Sequence, residues 1–211
     1  TALTVQNERG VTSVEPVQHD FLTQQLDALD VKEVVDGVKM GLVPSVDVAT
    51  VLKNTLEGFK GPVVWDPVLA PSKGSVTFTV DKPAEIARVL SEVVTLLTPN
   101  AKEAETLSGV AIHSVEDMEK AAAVLMEQGF DAVFIKGGHV DGDTITDLLV
   151  TADGKKEFVS ARIDGGTDVH GTGCVLATAL ACALLEGKSL EEACEEGRNA
   201  AADKIAAGTG A

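Results

Sequence analysis

The chain has 211 residues, 45% of them hydrophobic, enough for one large domain with its own core and too few for two comfortable ones. Seventeen basic against 33 acidic residues leave a formal charge of −16, and with no basic patch to override it the chain repels nucleic acid and anionic membrane surfaces. An aromatic content of 3% without tyrosine argues against stacking platforms for single strands, and no apolar run reaches the length of a membrane span.

In chain order, "TALTVQNERGVTSVEPV" contains two β-like runs flanking Asn7 to Gly10. "GPVVWDP", Gly61 to Pro67, reads as a buried strand closed by proline. Lys82 to Leu90 has helical periodicity. "VVTLLTPN", Val93 to Asn100, is a second strand, followed by a helix over Ala101 to Ser108 that Gly109 closes. A third helix spans Val115 to Gln128, with Ser114 and Asp117 at its N-terminal cap and Gly129 at its end. "DAVFIKGG", Asp131 to Gly138, is a third apolar strand. Strands alternating with helices imply parallel strands joined by crossovers, and fully apolar strands imply helices on both faces. "LLVTADGKKEFVSARI", Leu148 to Ile163, reads instead as an antiparallel hairpin around Asp153 and Gly154, on one edge of the sheet. A small-residue helix, "CVLATALACALL", follows and ends near Gly187, and Ser189 and Glu192 open the last helix at capping-box spacing. There is no internal repeat or long linker.

The chemistry concentrates at strand ends and one glycine turn. Gly171, Thr172 and Gly173 precede that small-residue helix, where backbone N–H groups can converge on an anion, although the tripeptide alone also suits an ordinary tight turn. Cys174 occupies the first helical turn, where converging N–H groups favour a thiolate able to accept a proton from an attacking hydroxyl. The other cysteines, Cys182 and Cys194, read as small buried hydrophobes. All three lie in the last fifth of the chain without disulfide or zinc spacing, so a reducing cytoplasm is the expected setting. Asn100 and Glu103 stand at a strand end and in a first helical turn. Glu103 there either answers the helix dipole or, with Asn100, holds Mg²⁺ through water. Lys136 ends an apolar strand and is either a solvated terminus or a phosphate contact. Asp66 ends another strand and suits a nucleotide or a metal.

The segments "WDPVLAPSKG", "LLTPNAKEAETLSG", "IKGGHVDGD" and "DVHGTGCVLATALACALLEGKSLEEA", in this order, resemble the ribokinase-like superfamily, and within it the hydroxymethylpyrimidine and phosphomethylpyrimidine kinases of thiamin synthesis. "VKMGLV" and the opening residues are weaker matches. Most sugar and adenosine kinases of the superfamily have Asp where Cys174 stands, thiazole kinases lack the pattern at Thr98 to Glu103, and pyridoxal kinases are the nearer rivals. The resemblance implies a three-layer α/β/α sandwich with a mostly parallel sheet and an antiparallel edge hairpin, forming one kinase domain over 1–211. It implies ATP and Mg²⁺ as cofactors, an aminopyrimidine alcohol as substrate, and a homodimer. By position, Cys174 would be the base and Gly171, Thr172 and Gly173 the anion hole. Lys136 and Gly138 would meet ATP phosphates, with Asn100 and Glu103 in the magnesium and phosphate region. Asp66 would lie near metal and substrate, and Leu42, Pro67 and Val68 would line the pyrimidine pocket. The opening strands would form a flap over the substrate and a dimer contact. Two departures stand out: Leu69 replaces the usual Met, and the family pattern begins with an additional glycine-rich strand-turn, so an upstream segment is expected to precede Thr1. The competing expectations are a pyridoxal or pyridoxine kinase and a non-catalytic nucleotide-binding remnant.

Overall fold

The computed structural model describes residues 1–7, 10–70, 80–138, 144–163, 165–166 and 169–209. Parts of three quoted motifs, at 71–79, 139–143 and 167–168, and the middle of the opening turn at 8–9, lie outside the described residues. The chain opens with β1 (Ala2–Asn7) and β2 (Gly10–Pro16), which among the described residues pair with each other alone, antiparallel, as a two-stranded sheet. Next come α1 (His19–Leu29), α2 (Val31–Val34), β3 (Val38–Met40), α3 (Val46–Leu56) and β4 (Val63–Trp65). They are followed by α4 (Pro83–Leu90), β5 (Leu96–Leu97), α5 (Ala101–Ser108), α6 (Val115–Glu127) and β6 (Ala132–Ile135). The chain ends with β7 (Thr144–Thr151), β8 (Gly154–Ala161), α7 (Thr172–Leu185) and α8 (Leu190–Thr209).

The main sheet has the order β3-β4-β5-β6-β7-β8. β3 to β6 are parallel, and β7 and β8 are antiparallel additions at one edge. The pleat explains the layers, because successive strand residues point to opposite faces. Val63, Trp65, Leu97, Val133, Ile135 and Leu148 pack into a core with α1 to α6. Their neighbours Val64, Leu96, Ala132, Phe134 and Leu149 pack into a second core with α7 and α8. Both faces of the sheet are therefore covered, which is why the strands read as unbroken apolar runs. Each fully buried Leu or Phe in these cores contributes about 1.5–3 kcal/mol.

Local signals set most boundaries. Ser114 accepts from the Asp117 N–H, and Gly109, at φ 76°, closes α5 in the left-handed region. The Ser189 and Glu192 capping box forms in both directions. Three boundaries differ from expectation. β5 has only two residues, because Val93 and Val94 instead close a turn onto Leu90. β7 starts at Thr144, four residues early, since it pairs along the whole of β8. Thr151 pairs with Gly154, so Ala152 and Asp153 form the hairpin turn, one residue ahead of the expected pair. β3 and α1 to α3 lie outside the elements expected from the sequence. α3 was legible, with Ser45 as its N-cap and Val48, Leu52 and Leu56 on its buried side.

Cys194 is buried as expected, whereas Cys182 is exposed. α7 is apolar on every side, so its composition does not tell which face the sheet covers. The covered residues are Leu176, Ala177, Leu180, Ala181 and Ala183, and Cys182 falls outside that set.

Candidate active site

The carboxyl ends of β3, β4, β5 and β6 lie side by side, and in open parallel sheets ligands gather at such ends. Asp66 immediately follows β4, with its N–H donated to the Met40 carbonyl and only 2% of its surface exposed. Lys136 follows β6 and is held by its N–H to the Pro99 carbonyl and by a parallel bridge to Asn100. The ends of β4 and β6, on either side of β5, bring the two side chains together across 70 residues of sequence. Lys136 Nζ donates to Asp66 Oδ1 at 2.7 Å, and Lys39 Nζ, from β3, lies 3.6 Å from Asp66 Oδ2. Burial alone would lower the basicity of Lys136. Asp66 first, then Glu103, with a smaller contribution from Cys174, holds its ammonium above the ordinary lysine value.

The glycine turn meets this pair. A β-carbon on Gly173 would stand 3.4 Å from Lys136 Nζ and 4.0 Å from Asp66 Oδ2, so the mouth of α7 opens onto the buried ion pair. Gly171, at φ 79°, sits at the N-cap of α7 with no side-chain cap. The first intrahelical bond runs from the Val175 N–H to the Gly171 carbonyl. The N–H groups of Thr172, Gly173 and Cys174 therefore precede the helical ladder and suit an anion. Cys174 is exposed and borders an open hollow of about 350 Å³ shared with Val175, Thr178 and Ala179.

Asn100 and Glu103 form a reciprocal capping box, in which the Asn100 N–H donates to Glu103 Oε2 at 2.8 Å and the Glu103 N–H to Asn100 Oδ1 at 2.9 Å. Burial raises the Glu103 carboxyl from 4.5 to about 7, against the opposing pull of Lys136. Both carboxylates thus already have protein partners. Among the described residues no three acidic, His or Cys side chains form a metal cage.

The expected substrate residues lie on the same rim. Pro67 is buried directly after Asp66, and the Val68 N–H turns back to the Asp66 carbonyl at 2.8 Å. Leu42 follows β3, where Trp65 Nε1 donates to the Gly41 carbonyl and the Thr1 hydroxyl to that of Leu42. Gly138 lies two residues past Lys136, its carbonyl accepting from Arg162 Nη1 at 2.8 Å.

Two residues at the site were not among those expected: Lys39, whose signal was a lysine within a three-residue apolar strand, and Lys204. Lys204 Nζ lies 3.8 Å from where a β-carbon of Gly171 would stand. Nothing in the surrounding α8 sequence distinguishes this lysine. Lys136 and Lys204 therefore border the α7 mouth, with Lys39 beside Asp66, in a chain of net charge −16.

The model of the phosphomethylpyrimidine kinase family matches residues 1–210. A hydroxymethylpyrimidine/phosphomethylpyrimidine kinase from Rhizobium meliloti is 35% identical, the match covering 100% of this chain and 81% of the relative. Among solved structures, the phosphomethylpyrimidine kinase from Clostridium difficile superimposes with a TM-score of 0.79 at 28% identity, over 97% of this chain and 84% of that one. A pyridoxal kinase from Staphylococcus aureus, in complex with AMP-PCP and pyridoxal, gives 0.80 at 27% identity, over 94% and 72%.

Proposed function

The chain belongs to the phosphomethylpyrimidine kinase family, and from that premise we propose that it moves the γ-phosphoryl of ATP onto the hydroxymethyl of 4-amino-5-hydroxymethyl-2-methylpyrimidine, and then onto the resulting monophosphate, in thiamin synthesis. The ribokinase-like fold sets the stage. The observation that carries the site assignment is the buried Lys136–Asp66 pair lying against Gly173 at the unpaired N-terminus of α7. Phosphoryl transfer needs positioning and charge neutralisation more than covalent help, and this arrangement supplies both.

In the proposed step the substrate hydroxyl oxygen attacks the γ-phosphorus, the bond to the β,γ-bridging oxygen breaks, and ADP leaves. Cys174 accepts the hydroxyl proton. The N–H groups of Thr172, Gly173 and Cys174 receive the migrating phosphoryl oxygens, and losing one such donor typically costs about 10²- to 10³-fold in rate. Lys136 bears on the nucleotide phosphates, aimed by Asp66, while Gly138 lets the backbone approach them. Leu42, Pro67 and Val68 line the pyrimidine side.

Magnesium, when bound with the nucleotide, neutralises phosphate charge. Glu103 fits it best, because its raised carboxyl reports a buried charge that a cation would relieve. With Asn100 beside it, Glu103 would hold the ion through water. Asp66, whose two oxygens both face lysines, acts through Lys136.

We further place the protein in the cytoplasm as a homodimer. Leu3, Val5, Phe21, Leu29 and Val34, all in the first 34 residues, are at least half exposed, and such exposed apolar side chains are what a dimer contact would cover. Among the described residues no helix is long and apolar enough to cross a membrane.

The test is ADP release with MgATP and the hydroxymethylpyrimidine, against pyridoxal and against Cys174→Ala. Preferred turnover of the pyrimidine, lost in the variant, is the expected result. Preference for pyridoxal would reject the substrate, undiminished turnover by Cys174→Ala would reject the base, and nucleotide binding without any transfer would indicate a remnant.

A further inference from the structure

Asp147 lies in the middle of β7, in "TITDLLV", and is one of the few buried charged residues among those described, 6% exposed. Its two oxygens divide their work. Oδ1 accepts the Gly137 N–H at 2.8 Å, and Oδ2 accepts Arg198 Nε at 2.7 Å. Gly137 directly follows Lys136, and its α-carbon sits so close to β7 that a β-carbon would stand 1.9 Å from the Thr146 carbonyl oxygen. The backbone at Gly137, directly after Lys136, is therefore pinned to β7 by one close approach and one carboxylate hydrogen bond.

Arg198 belongs to α8. Its guanidinium lies 5.4 Å from the Phe158 ring centroid on β8, and that ring meets Phe134 of β6 edge-on. One residue before it, Gly197 lets α8 press against α7, since a β-carbon there would stand 2.8 Å from the Leu176 carbonyl oxygen. α7 is the helix whose first turn carries Gly171 to Cys174. A continuous path thus runs from the Lys136 loop through Asp147 and Arg198 to the helix pair that presents the anion hole.

The geometry points to the Asp147–Arg198 pair as a positioning strut that sets the separation between the Lys136 loop and the α7 mouth, the two elements that must grip one polyphosphate together. This inference rests on the kinase reading above. With both oxygens bound by protein donors, Asp147 acts as a positioning residue. A buried carboxylate bound at both oxygens tolerates little displacement, because loss of either partner leaves a charge uncompensated in the interior. Its effect on the reaction is therefore geometric, and misplacement of a reacting group by ~1 Å costs about 10²-fold in rate.

The experiment compares Asp147→Ala, Asp147→Asn, Arg198→Lys and the Asp147→Ala/Arg198→Ala double variant. It uses thermal melting, steady-state kinetics in both substrates, and calorimetry with a non-hydrolysable ATP analogue. The strut predicts that Asp147→Ala loses about 10²-fold in kcat/KM for ATP while the KM for the pyrimidine stays unchanged. Asp147→Asn, which keeps the acceptor for Gly137, and Arg198→Lys, which keeps the charge, lose less. The double variant is no worse than Asp147→Ala. Variants that melt lower yet keep parental ATP kinetics, or that raise the KM for the pyrimidine as much as that for ATP, would overturn it. If Asp147→Ala does not fold, the two conservative variants decide, and parental ATP kinetics in both would overturn it. A parent that turns over nothing removes the proposed reaction alone, since analogue affinity still reads the strut: undiminished binding by the conservative variants overturns it, and weakened binding supports it. A parent that neither turns over nor binds the analogue overturns both.

Discussion

Glu103→Gln should make the protein more stable at alkaline pH and less active. The folded Glu103 carboxyl titrates at about 7 instead of 4.5 because it is buried. The folded chain therefore binds that proton more tightly than the unfolded chain. Its contribution to stability is fully present below pH 4.5 and is lost as pH rises to about 7. A displacement of that size corresponds to about 3 kcal/mol. Glutamine at the third helical position preserves the capping box, because its carbonyl still accepts the Asn100 N–H. Its amide cannot match the second carboxylate oxygen, and the weaker neutral hydrogen bonding offsets about 1 kcal/mol. The expected result at pH 8 is a gain of about 2 kcal/mol over the parent, vanishing or reversing at pH 4. Urea unfolding of both proteins without nucleotide, from pH 4 to 8, measures the difference. The same substitution removes the charge proposed to serve magnesium, so kcat should fall while the protein stabilises. A stability difference that does not change with pH would refute the buried-charge argument.

Gly137→Ala forces a carbon within 1.9 Å of the Thr146 carbonyl and should cost about 3 kcal/mol in chemical denaturation, whereas Gly138→Ala, which meets open space, should cost less than about 1 kcal/mol. Equal effects would deny the close approach of Gly137 to Thr146 of β7. Lys204→Ala should raise the KM for ATP about tenfold with the melting temperature unchanged, since the lysine borders the anion hole from a half-buried site. An unchanged KM would remove Lys204 from the site. Alkylation followed by mass analysis should modify Cys174 and Cys182 and spare Cys194, whose thiol burial pushes well above the ordinary range. MgATP should protect Cys174 but not Cys182. Protection of both, or of neither, would contradict the placement of the α7 mouth.

Much of this protein is written in short-range chemistry. Ser114 and Asp117, Asn100 and Glu103, and Ser189 and Glu192 declare helix starts because a cap is satisfied within a few residues, and Gly109 declares a stop because it enters the left-handed region. Apolar runs declare strands covered on both faces. Asp66, Lys136 and the Gly171 to Cys174 turn were legible as strand-end and helix-mouth chemistry for the same reason. What each does was not legible, because it depends on partners far along the chain. Whether Asp66 is free or doubly occupied depends on Lys136 and Lys39 reaching it from the ends of β6 and β3. Whether Asp147 is a solvated strand residue or a strut depends on Arg198 arriving from the last helix. The exposure of Cys182 turned on which side of an all-apolar helix the sheet covers. Local sequence dictates backbone conformation because its energies act over a few residues. The pairing and burial of charge are settled only when the packed sheet brings distant strand ends together and excludes water from between them.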